Sequence, residues 1–130
     1  MPTIQQLLHE VLFRYTPHSE AGEPTRSATL AQALVASGEV RVSEHGYDEL
    51  AEDGLSVSEI LAGVSTGAVV EDYPDYPKGR SVLVLQVDGA GRAIHVVWGI
   101  PKGFESPAVL VTAYRPDPTR WDERFMERRK

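Results

Sequence analysis

The sequence predicts an α+β fold: helices packed on a twisted four-stranded antiparallel sheet, with one more helix at the C-terminus. Two observations predict it. Apolar residues recur at helical spacing through the first half of the chain, and after Gly67 the pattern changes to short runs rich in β-branched residues. Gly, Pro and Asp punctuate the boundaries, so each run is a separate element, and elements of the two kinds segregate into two layers.

Taken in order, Ile4, Leu7, Leu8, Val11 and Leu12 place one apolar stripe on a helix from about Thr3 to Tyr15. Pro17, Gly22 and Pro24 mark a loop. Ser27 is positioned to cap a short Ala/Leu-rich helix that Gly38 closes. Val40 and Val42 alternate with Arg41 and Ser43 as in a short strand. Ser43 then caps a helix running to about Asp53, where Gly54 stops it. Ser56-Val57-Ser58-Glu59 has the capping-box order, and Ile60, Leu61 and Val64 give the next helix an apolar side. Ala68–Val70, Ser81–Val87, Ala93–Trp98 and Ala108–Ala113 read as the four strands. Asp88 to Gly91 forms one hairpin and Gly99 to Pro107 a second reversal. Asp117 and Pro118 are the N-cap and first-turn residues of the final helix, which sets Trp121 and Phe125 one turn apart.

The 130 residues, 42% of them hydrophobic, suit one domain with one core: a helical extension over 1–39, a central part over 40–121 and a helix end over 122–130. The net charge of −6 is unevenly spread. No Lys or Arg occurs from Val42 to Pro77, where Glu44, Asp48, Glu49, Glu52, Asp53, Glu59, Glu71, Asp72 and Asp75 would repel a phosphate backbone. The C-terminal Arg120, Arg124, Arg128, Arg129 and Lys130 alternate with Asp122, Glu123 and Glu127, the pattern of a salt-bridged surface.

Without cysteine there is no disulfide, thiolate zinc site or cysteine nucleophile. His9, His18, His45 and His95 lack metal-ligand spacing, and neither a phosphate loop nor a nucleophile elbow is present, so neither cofactor nor metal is expected. No stretch is long enough to span a bilayer and the N-terminus lacks a basic leader, which makes a cytoplasmic protein the expectation.

From about Val40 to Trp121 the chain resembles a family of small bacterial domains, domain of unknown function 4258. His45-Gly46, Gly54-Leu55-Ser56, the run Val69 to Pro74, Ile94-His95-Val96-Val97 and the run Thr112 to Asp117 with Trp121 carry the resemblance. That family is distantly similar to ribonuclease toxins of the RelE and BrnT type, which implies a RelE-like fold and metal-independent RNA cleavage. In such a reaction a base frees the ribose 2′-hydroxyl to attack the adjacent phosphate while cations stabilise the charge. Members commonly carry His-Ala and then two arginines along the first helix of the family region. Here Gly46 replaces the Ala, and Glu49 and Asp53 stand in place of the arginines, reversing the sign of the field an RNA would meet.

The residues that could serve such a site are His45, His95 and Tyr114 as acid or base and Arg80 and Arg115 as anion clamps. Strand alternation puts His95 opposite Ile94, Val96 and Trp98, on the more open face of the sheet. His45 at a helix start would be held neutral by the dipole. Each also has a purely structural explanation, as a locally hydrogen-bonded or packed side chain. The leading expectation is a non-catalytic or degraded RelE-like relative that acts by contact with a protein partner. The alternative is an active endoribonuclease toxin of a toxin–antitoxin pair. A third possibility is a homodimer built through the first helix and the Trp121 helix.

Overall fold

A computed structural model describes residues 22–129, apart from the side chains of His45 and Glu49. The helix expected over Thr3 to Tyr15 lies outside the described residues. Helix α1 spans Arg26–Ala36, and its cap is Thr25, whose Oγ1 accepts the Ala28 N–H at 3.2 Å. Ser27, the residue expected there, is instead buried on the inner face with Ala28, Ala31 and Leu34. Gly38 closes the helix at φ +81°, a conformation costly for any residue with a Cβ.

Strand β1 is Val40–Val42, and Ser43 leads into α2, Glu44–Glu52. The Ser43 hydroxyl does two tasks: it accepts the Gly46 N–H at 2.9 Å, capping the helix, and donates to the Val111 carbonyl at 3.0 Å, fixing the helix beside a distant strand. Helix α3, Val57–Gly63, is capped by Ser56 through the Glu59 N–H and runs into a 3-10 turn, Val64–Thr66.

Strands β2 (Ala68–Tyr73), β3 (Ser81–Val87), β4 (Ala93–Gly99) and β5 (Ala108–Tyr114) follow; β3 has the bounds of its apolar run, and the other three extend past theirs. They pair as an antiparallel meander, as the turns require. The expected four-stranded sheet is nevertheless corrected to five strands in the order β1-β5-β4-β3-β2, because β1 pairs with β5 in parallel, Val40 opposite Ala108. The segment from α2 to β4 intervenes between the two, and a crossover of that kind returns the chain in the same direction.

The sheet has a core on each face. Leu34, Leu50, Ile60, Val96, Trp98 and Leu110 join the helices on one side. Val70, Tyr73, Leu83, Val97, Tyr114 and Trp121 form the second core, with Phe125 and Met126 packed against it. That second core explains why the expected C-terminal helix does not form. Asp117 accepts from the Thr119 N–H and the Trp121 N–H reaches the Asp117 carbonyl, but these bonds close a single turn and no helix. The Asp122 carboxylate takes the Met126 N–H, Phe125 adopts φ +59°, and Trp121 bridges to Arg128 as a miniature antiparallel pair. The apolar second face of the sheet needs a cover, and an irregular strap brings Trp121, Phe125 and Met126 onto it together. Among the described residues no helix is long and apolar enough to cross a membrane.

Candidate functional site

His95 and Tyr114 are cross-strand neighbours on β4 and β5, which puts their side chains on the same face. The Tyr114 hydroxyl lies 3.2 Å from His95 Nδ1, and His95 Nε2 lies 2.7 Å from the Phe125 carbonyl oxygen. A carbonyl can only accept, so Nε2 carries the proton and Nδ1 is left to accept from Tyr114. Trp121 stands edge-on to the imidazole at 4.5 Å between centroids. Burial holds the His95 pKa down, to about 4, against the pull of the Phe125 carbonyl and of Glu71; Arg128 adds to the lowering. The ring is therefore neutral at neutral pH, and its exposure is 0%.

Alternation along β4 is as the sequence indicates, since Ile94, Val96 and Trp98 all lie in the helix-side core. The expected openness of the other face is corrected at His95, which the strap encloses. The strap is latched by Arg128, whose Nε and Nη2 donate to the two Glu71 oxygens at 2.9 Å each while its guanidinium lies 4.6 Å above the Trp121 ring. Tyr73 donates to the same carboxylate at 2.6 Å, and burial first, then Glu71, pushes its phenol pKa upward. Burial alone would lower the Arg128 pKa, yet its bonds with Glu71 raise it.

Arg115 stands just beyond Tyr114. Its N–H donates to Asp53 Oδ2 at 2.9 Å, so an acid at the end of α2 caps the end of β5. Its guanidinium donates to Asp88 at 2.7 Å and to the Ala93 carbonyl at 3.2 Å. The Arg92 N–H, and then Arg115, hold the Asp88 carboxyl below its usual range. Arg115 thus ties the β3–β4 turn to β5.

Arg80 is at the other end of the sheet. Its carbonyl accepts from Ile100, beyond the Ser81–Gly99 pair, whereas His95 pairs with Leu85, five residues and about 16 Å along the strand. His45 opens α2, the helix that packs along β5 through Leu50 on the opposite core. Of the residues named as acid, base or anion clamp, His95 and Tyr114 are therefore brought together, whereas Arg80 and Arg115 stand at opposite ends of the sheet. Among the described residues no cluster of His, Asp and Glu is placed to hold a metal ion.

A feature missed by sequence reasoning lies on the part of the second face that the strap leaves open. A groove of about 380 Å³ is floored by Val97, Gly99, Val109 and Val111, with Arg41 and Lys78 on its rim. Alternation in β5 places Val109 and Val111 on that face. No sequence signal brings Arg41 beside them, because that depends on the parallel pairing of β1 with β5.

No curated protein and no solved structure matches the chain. The family described as Domain of unknown function (DUF4258) matches residues 42–115, from the end of β1 through α2, α3 and the meander to Arg115, leaving α1 and the strap outside the match. Since that match spans more than half of the 130 residues, the chain belongs to the DUF4258 family.

Proposed function

We propose that this domain acts by binding a protein partner and not by cleaving RNA, and that its fold derives from the RelE-like toxins without their chemistry. The observation that carries this reading is the enclosure of His95, whose two ring nitrogens are engaged by Tyr114 and the Phe125 carbonyl beneath the strap. A general base must reach the proton it abstracts, directly or through one water. His95 has no open side from which a ribose could approach. Arg115 is held by Asp88, and Arg80 stands at the far end of the sheet, so neither supports a phosphate beside it.

The surface best suited to contact is the outer side of the helical layer. Glu44, Asp48, Glu52 and Glu59 are exposed there, and Tyr47 is 58% exposed among them. An exposed aromatic on a helix that also exposes carboxylates suits a partner with a basic, partly apolar face, and such an association weakens with salt. The test is to incubate the purified protein with long RNA at high protein concentration and to overproduce it in growing cells. Intact RNA and unimpaired growth are expected. RNA cleavage that disappears in a folded His95→Ala variant would overturn the reading in favour of the ribonuclease.

A further inference from the structure

Beyond that reading, we propose that the groove on the second sheet face is a binding site for a small organic carboxylate with an apolar body of one ring or a branched chain. Its volume of about 380 Å³ is within the range of small-molecule sites. Gly99 lines the groove without a side chain of its own, and a Cβ there would stand only 3.2 Å from Val111 Cγ2, so a larger residue would force Val111 to give way. The floor of Val97, Val109 and Val111 offers no hydrogen bond and favours an apolar body.

The two serine hydroxyls of the groove are already engaged within the protein. Ser43 donates to the Val111 carbonyl and Ser81 to the Gly79 carbonyl, so both hydroxyl protons are committed within the protein. The rim charges are Arg41 and Lys78, both exposed, and no ion pair among the described residues holds either. Among the described residues no Asp or Glu lines the groove, although the chain as a whole carries a net charge of −6. Two cations over an apolar floor, without a competing carboxylate, complement a ligand whose charge is at one end and whose body is apolar.

A matched pair of probes tests the proposal: 4-phenylbutyrate and its uncharged amide, titrated into the whole protein and followed by methyl NMR. Saturable shifts at the Val97, Val109 and Val111 methyls are expected with the carboxylate, and about tenfold weaker binding with the amide. Arg41→Gln and Lys78→Gln should each weaken the carboxylate several-fold, leave the amide unchanged and leave the melting temperature in place. Val109→Trp, which fills the groove, should abolish both. Equal affinity for the two probes, shifts centred away from these valines, or no saturable shift at millimolar concentration would overturn the assignment. None of these outcomes depends on whether the helical layer binds a protein.

Discussion

At His95 a proton is refused that the unfolded chain would accept. Its folded pKa of about 4 lies below the ordinary 6.5, chiefly because the ring is buried, with Glu71 and Arg128 the charged groups nearest in effect. Between those two values the unfolded state binds more protons, so folding stability rises with pH across that window and is complete above about 6.5. As pH falls from 6.5 toward 4, up to about 3 kcal/mol is lost. His95→Phe removes this slope. It also removes the imidazole contacts to the Tyr114 hydroxyl and the Phe125 carbonyl, at a cost of about 2 kcal/mol near neutrality. Urea unfolding near pH 7 and near about pH 5 should therefore give the variant nearly equal midpoints, while those of the parent differ. A parent with a flat profile would mean that the imidazole is already solvated in the fold. The face on which His95 lies was legible from strict alternation with Ile94, Val96 and Trp98. Its closure was not, because the covering residues lie thirty positions away in a segment whose spacing of Trp121 and Phe125 reads as a helix.

Among the elements, those whose signals are local follow the sequence closely. Ser43 and Ser56 cap α2 and α3, Gly38 and Gly54 take positive φ at the helix ends, and Asp88 organises the β3–β4 turn by accepting the Ala90 and Arg92 N–H groups. The two elements that differ, β1 and the strap, are decided by partners remote in sequence: β5 for the first, and Glu71 with the second core for the latter. The strap should therefore depend on its latch. Arg128→Gln leaves the Glu71 carboxylate, largely enclosed, with Tyr73 alone in place of a bidentate guanidinium. A loss of about 2 to 3 kcal/mol is expected by chemical denaturation, with Trp121 fluorescence shifted toward that of a solvated indole. A double-mutant cycle with Glu71→Gln should recover most of that loss, since both charges are then gone.

Across the whole molecule, one sheet separates two cores, and each is covered by a different stretch of chain. The helices cover one face, and the strap, which lies beyond the family match, covers part of the other. Deleting residues 117–129 would uncover Tyr73, Leu83 and Tyr114 and remove the buried Trp121, a loss on the order of 5 kcal/mol. That is comparable with the entire stability of many small domains. The shortened protein is expected to lose its cooperative thermal transition and to bind a hydrophobic dye; a sharp transition at the original temperature would show that the cover is dispensable.

The parallel pairing of β1 also sets a timetable. Ser43 and its partner Val111 are 68 positions apart, and Val40 meets Ala108 across a similar span. A nascent chain leaving the ribosome therefore carries β1 and α2 without their docking strand until nearly all of the meander has been synthesised. Closing so wide a loop is among the last gains of folding, and a product interrupted before Ala108 would expose an unpaired valine strand to proteases and chaperones.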